Sequence, residues 1–244
     1  MHTRKPRVTN SGVAELRRSL RAQSNATDAQ FLQRFFKTGP GQYAEGDRFL
    51  GVRVPATRAV ARSGRGIPYA KLGVLLRSRW HEERLLALIL LDEAHSRGDE
   101  STRRAILRMY LDNTGYVNNW DLVDTSAPGI VGPHVDPEHP LLLEKLARSA
   151  DLGERRIAIV ATLHWIRLGE LGLTFRIATM LLQDTHDLIH KATGWMLREA
   201  GKQDRIALER FLSKHCRSMP RTMLRYAIER FPAKMRKRYL AGDV

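Results

Sequence analysis

Apolar residues recur at intervals of three and four along most of the chain after residue 12, the spacing that gives a helix one buried face. The clearest runs are His81 to Ala94, Arg155 to Ile166 and Leu188 to Ala200. Strand-like alternation bounded by hairpin turns is missing, so the pattern predicts an all-α fold. Gly98, Gly169 and Gly201 follow three of the predicted helices, where left-handed caps are expected. Asp151, and Asp184 or Thr185, are the expected starts of the helices that follow them. The segment Thr38-Gly39-Pro40-Gly41-Gln42 reads as a loop joining N-terminal helices to the rest.

The predicted helices keep a register. Arg84, Trp120, Arg156 and Lys191 lie 36, 36 and 35 residues apart, and one further step reaches Arg225. Periods in this range belong to helix-pair solenoids, and the chain lacks the Trp-Leu-Gly-Tyr pattern of TPR repeats, so a HEAT-like array is expected. Antiparallel helices with short loops produce similar spacing; a basic or aromatic residue recurring in register favours the repeat. In a solenoid, equivalent positions line one concave surface. The five residues would then form a basic stripe suited to a phosphate backbone. The expected organisation is one domain over residues 9–244, preceded by a mobile basic tail over residues 1–8.

Charge narrows the class of partner. Lys and Arg outnumber Asp and Glu by 41 to 26, a net charge of +15, which predicts attraction to polyanions. Nucleic acid is the first candidate and an anionic membrane surface the second. The single cysteine, Cys216, excludes an intramolecular disulfide and a cysteine-based zinc cluster, and suggests a reducing compartment. The basic N-terminus lacks the apolar core of a signal peptide, and the longest wholly apolar run, Leu85–Leu91, is too short to cross a bilayer. A cytoplasmic protein is expected, associated with the nucleoid through DNA and with no membrane partner.

One stretch suggests chemistry. Trp120 and Asp124 lie four residues apart in a helical pattern, so an indole and a carboxylate share one face. An acid beside a large aromatic ring suits a cationic ligand, an unusual feature on so basic a protein.

Three segments, in order, resemble the DNA alkylation repair family of HEAT-like (AlkD-type) alkylpurine DNA glycosylases. They are Asn119-Trp120-Asp121-Leu122-Val123-Asp124, Arg155-Arg156-Ile157-Ala158-Ile159 and Lys191-Ala192-Thr193-Gly194-Trp195-Met196-Leu197-Arg198-Glu199. Phe49-Leu50-Gly51-Val52 and His81-Glu82-Glu83-Arg84 are weaker matches, and the likeness covers roughly residues 28 to 232. The resemblance implies an active site of Trp120, Asp124, Arg156 and Trp195, and monofunctional hydrolysis of cationic N3- or N7-alkylpurines in duplex DNA to leave an abasic site. Alkylation of a purine at N3 or N7 makes the base cationic and weakens its bond to deoxyribose, and cleavage develops positive charge on the sugar. In that site the Asp124 carboxylate would stabilise the cation, and indole faces at Trp120 and Trp195 would attract base and sugar by about 0.5 to 2 kcal/mol each. Arg156 would grip a phosphate and help keep Asp124 ionised. Taken singly, each of the four has a plainer reading: core for the tryptophans, a solvated helix acid for Asp124, a surface cation for Arg156. It also implies lesion recognition through backbone and sugar rather than in a deep base pocket. Arg84, Arg155, Lys191, Arg225 and Phe35 are the expected DNA contacts. A monomer without metal or cofactor is expected; the rival is a noncatalytic HEAT-like binder of damaged or branched DNA. His186 and His190 have helical zinc-ligand spacing, but no third ligand is evident and the first His is not followed by Glu. Trp80 and Trp165 read as structural.

Overall fold

The computed structural model of the protein describes residues 11–243; the expected basic tail over residues 1–8 lies outside them. Regular structure among the described residues is helical, beside an isolated parallel bridge between Arg48 and Trp80, so the fold is all-α as the periodicity predicts. No described helix is long and apolar enough to cross a membrane. The chain divides into two compact units, Met1–Ser126 and Ala127–Val244.

The first unit contains α1 (Ser11–Arg21), α2 (Ala26–Phe35), α3 (Val54–Ser63), α4 (Tyr69–Leu76), α5 (His81–Arg97), α6 (Glu100–Leu111) and the start of α7 (Trp120–Ile130). Its centre is α5, which packs against α3, α4 and α6. Of the residues from His81 to Leu91 every one but Ile89 is buried, so α5 is enclosed on nearly all sides rather than along one stripe. Helix starts follow local chemistry. Asn25 accepts from the Asp28 N–H at 3.0 Å to begin α2, and Asp99 accepts from Thr102 at 2.8 Å to begin α6. The predicted Thr38–Gln42 loop is present as turns, with Gly41 at φ 71°.

The second unit contains α8 (Leu141–Ala147), α9 (Leu152–Ala161), α10 (Leu163–Arg167), α11 (Gly172–Met180), α12 (Asp187–Gln203), α13 (Arg205–His215), α14 (Arg221–Ala227) and α15 (Ala233–Ala241). Here α12 packs against α9, α13 and α14. Gly194 makes the last contact possible: a Cβ there would meet the Met223 carbonyl oxygen and the Tyr226 Cβ, each at 2.5 Å. Asp151 caps α9 through the Glu154 N–H at 2.9 Å, as expected. The α12 cap is His186, whose Nδ1 accepts from the Leu188 N–H at 3.1 Å, rather than Asp184 or Thr185.

Only Gly169 of the three predicted cap glycines is left-handed, at φ 84°. Gly98 follows α5 with φ −73°. Gly201 lies inside α12, where a Cβ would come within 2.3 Å of Leu208, so it allows α13 to approach closely. Helix starts at His81, Trp120, Leu152, Asp187 and Arg221 recur at repeat-like intervals. Within that register Asp124, Arg156, Lys191 and Arg225 are each the fifth residue of their helix, Arg84 is the fourth, and Trp120 is the first.

Gly51 is the tightest point in the first unit. It sits at φ 80°, and a Cβ would lie 2.0 Å from the Asn25 carbonyl oxygen and 2.7 Å from the Ala29 nitrogen, backbone atoms that cannot swing aside. Gly51→Ala is expected to destabilise the protein by about 2 to 3 kcal/mol in chemical denaturation. A loss below about 0.5 kcal/mol would show that α2 shifts to make room.

Candidate functional site

Trp120 and Asp124 occupy the first and fifth positions of α7, and both are half-buried. The indole of Trp120 stacks on Phe36 at 5.3 Å between centroids and meets Phe35 edge-on at 6.2 Å. Phe35 stacks on Phe31 at 5.8 Å, one helical turn earlier on α2. These rings, with Phe49, Val52 and Pro55, line a cleft of about 410 Å³ in the first unit. A second, more polar cleft of about 480 Å³ is lined by Arg58 and Arg62 of α3, Asp92 and Glu93 of α5, and Thr125, the residue after Asp124.

What sets the α7 entrance is a buried chain of charges. Asp47, in the loop after α2, accepts from Arg84 Nη2 at 2.7 Å and from Asn118 Nδ2 at 2.9 Å. Its other oxygen lies 3.4 Å from both His81 Nδ1 and Asn119 Nδ2. The far side of the imidazole, Nε2, meets Asp121 Oδ2 at 2.8 Å. Asn119 accepts from the Trp120 N–H at 2.9 Å. The four residues from Asn118 to Asp121 are therefore fastened to Asp47 and α5, which fixes where α7 begins and which way Trp120 points.

The rest of the His81–Arg84 segment is equally committed. Glu82 accepts from the backbone N–H groups of Leu50, Gly51 and Val52 at 2.8 to 3.2 Å. Glu83, fully buried, pairs with Arg17 and Arg21 of α1. The two weaker sequence matches, Phe49–Val52 and His81–Arg84, are thus halves of one interlocked structure.

Burial alone would lower the His81 pKa; the Asp121 charge and hydrogen bond, with the Asp47 hydrogen bond, outweigh it and raise the pKa from 6.5 to about 9. For Asp47 burial acts upward, but the His81 hydrogen bond, the Arg84 charge and the Asn118 hydrogen bond bring it from 3.8 to about 2. A raised histidine stabilises fully below its unfolded pKa and loses that contribution as pH rises through the folded one; a depressed carboxylate does the reverse. Stability is therefore expected to plateau between 3.8 and 6.5 and to fall as pH rises through about 9, by on the order of 3 kcal/mol. Denaturation midpoints measured across pH would show this alkaline decline flattened in His81→Gln; an unchanged profile would mean the imidazole is not the titrating group.

Among the other expected residues, Arg156 is buried on α9 and donates to the Leu188 carbonyl at 2.7 Å, which ties α9 to the start of α12. Trp195, half-buried on α12, donates from Nε1 to Glu199 at 3.2 Å. Trp120 and Asp124 belong to the first unit, Arg156 and Trp195 to the second.

Arg84 was expected to reach a phosphate; instead it is 3% exposed and bound to Asp47, Asn118 and the Ser78 carbonyl. Arg155 is likewise engaged, with Asp184 at 2.7 Å and the Ser149 and Ala150 carbonyls. Lys191 is half-exposed beside Asp187 at 2.7 Å, and Arg225 is exposed on α14. Phe35 is 52% exposed. The His186–His190 pair is spent on structure, His186 as the α12 cap and His190 against the Asp184 carbonyl. Trp165 donates to the Gly132 carbonyl at 3.0 Å, consistent with packing. Sequence reasoning passed over Asp47, an acid with no local pattern to mark it, and gave no role to Asp121, although Asp121 lies within the Asn119–Asp124 segment.

A search of curated proteins finds no match. Among solved structures the chain resembles a predicted DNA alkylation repair enzyme from Enterococcus faecalis, with 17% identity and a TM-score of 0.68 over 86% of this chain and 98% of that one. At that identity the likeness speaks for the fold alone. The model of the DNA alkylation repair enzyme family matches residues 16–231, most of the sequence. This chain belongs to the DNA alkylation repair enzyme family.

Proposed function

We propose that the protein is a monofunctional DNA glycosylase that hydrolyses the N-glycosidic bond of cationic N3- or N7-alkylated purines in duplex DNA. Family membership carries the coarser statement, a DNA repair role. The finer reading is carried by α7: an indole held at an aromatic cleft and a carboxylate one turn further along the same helix.

In the proposed reaction the C–N bond breaks with its electron pair passing to the alkylpurine, which leaves neutral. The sugar is left as an oxocarbenium ion, stabilised by the Asp124 carboxylate and the faces of Trp120 and Trp195. Water adds to the anomeric carbon and loses a proton, giving an abasic site. Arg156 is assigned the phosphate next to the lesion. Lys191, Arg225 and Phe35 remain proposed DNA contacts, joined by the exposed Arg58 and Arg62. Arg84 and Arg155 are assigned to structure. The protein acts as a monomer, in the cytoplasm on nucleoid DNA, without metal or cofactor.

Duplex DNA containing N7-methylguanine tests this directly. Free 7-methylguanine and an abasic strand are the expected products. Tight binding of that duplex with no base release would favour the noncatalytic damage binder instead.

A further inference from the structure

We propose that Glu199 is a positioning residue: it fixes the indole of Trp195 through the ring N–H and strengthens the hold of that ring face on a cation. Its role rests on the glycosylase reading, in which Trp195 faces the sugar cation, and adds to that reading a residue it does not use.

The indole–carboxylate spacing of α7 recurs on α12. Trp195 and Glu199 lie four residues apart, both half-buried, and Trp195 Nε1 donates to Glu199 Oε1 at 3.2 Å. Helical side chains lean toward the N-terminus, so Glu199 covers the turn before its own, where the indole lies. The two tryptophans are held differently. Trp120 is pinned by Phe35 and Phe36. Among the described residues no aromatic ring touches Trp195, and Glu199 is the one hydrogen-bonding partner of its side chain. Without that bond the half-buried indole would be free to change rotamer.

Glu199 is itself firmly held. Lys202 Nζ donates to its two oxygens at 2.8 and 2.6 Å, and Arg198 Nε and Nη2 donate to Oε1 at 3.3 Å. Arg198 is anchored in turn by Glu229, just beyond α14. Only 18% of the Glu199 side chain is exposed, which a solvated helix ion pair does not require. Burial acts to raise its pKa, but the Lys202 hydrogen bond and charge, with the Arg198 charge, hold it below the ordinary 4.5. The acceptor is therefore an anion at neutral pH. A carboxylate bound to an indole N–H pushes electron density into the ring and deepens the negative potential of its face. With both oxygens occupied, Glu199 is no second candidate for the role given to Asp124.

The test joins proton NMR of the indole N–H groups with duplex binding, the Trp195 resonance being assigned by its loss in Trp195→Phe. One duplex carries a protonated pyrrolidine in place of a deoxyribose, a cation where the sugar cation would form; the other carries a neutral tetrahydrofuran there. Glu199→Ala is expected to move the Trp195 resonance upfield and to cut the preference for the cationic duplex about tenfold. A merely structural role would weaken both duplexes alike. Glu199→Gln keeps an acceptor oxygen without the charge and should lose less on both counts. In a Trp195→Phe background Glu199→Ala should cost less than about twofold further, because the N–H it binds is already gone. An unmoved resonance, an unchanged preference, or the same loss with and without Trp195 would overturn the role of Glu199. Base release from N7-methylguanine duplex separates this from the glycosylase reading. Release by the wild type with an unmoved resonance in Glu199→Ala sinks the positioning role while the enzyme stands. A moved resonance and a reduced preference, without any release by the wild type, sink the enzyme while Glu199 keeps its role.

Discussion

Asp124→Asn is expected to slow release of 7-methylguanine from duplex DNA by about 100- to 1,000-fold, equivalent to about 3 to 4 kcal/mol of transition-state stabilisation. The substitution keeps the shape of the side chain and one acceptor oxygen, turns the other oxygen into a donor NH2, and removes the charge. On the proposed mechanism, that charge opposes a full positive charge that exists on the sugar only as the base departs. The loss should therefore appear in kcat, with affinity for undamaged duplex unchanged. Asp124 is half-buried on α7, so a near-isosteric amide should cost no more than about 1 kcal/mol of stability. Trp120→Phe keeps an aromatic face with a weaker attraction for cations and should lose less, about tenfold. Release by Asp124→Asn at the wild-type rate would remove Asp124 from the chemistry, whatever the activity of the parent.

The helices were legible because their cause is local. Periodicity placed α5 and α12 close to their observed limits, and the Asp151 cap was readable from one residue type in one position. The errors come from interactions that are not local. Gly201 looks like a terminator because glycine often ends helices, yet α12 continues to Gln203, and the absent Cβ serves Leu208 of the next helix. The 36-residue spacing aligned Trp120 with Arg84 and Arg156, but α7 begins late relative to its neighbours, which places Asp124 in the fifth position instead.

The candidate site divides the same way. The Trp120–Asp124 pair was visible as an i, i+4 relation, whereas the network that aims it was not. His81, Glu82, Glu83 and Arg84 look like a solvated first turn, and polar residues there normally face water. They are buried because each meets a partner from another segment: Asp47, the Leu50–Val52 backbone, Arg17 and Arg21, and Asp121. Such matching depends on three-dimensional proximity, and no window along the chain contains both halves.

Asp47 is where that network is most vulnerable. Asp47→Ala is expected to cost about 3 to 5 kcal/mol in chemical denaturation, because it leaves the buried Arg84 charge without its anion and strips an acceptor from His81, Asn118 and Asn119. Asp47→Asn retains an acceptor oxygen but no charge and should fall between the two. The damage should also reach the site: with Asn118 and Asn119 released, the α7 entrance loosens, and base release should drop even at temperatures where the variant stays folded. A second substitution separates stranded charge from lost packing. Removing both partners of a buried ion pair is often far less harmful than removing one. Asp47→Ala combined with Arg84→Met should therefore be clearly more stable than the sum of the two single losses predicts, with a coupling of at least about 1 kcal/mol. Strictly additive losses would mean that the Ser78 carbonyl and Asn118 sustain Arg84 without Asp47, and that the charge chain does not act as one unit.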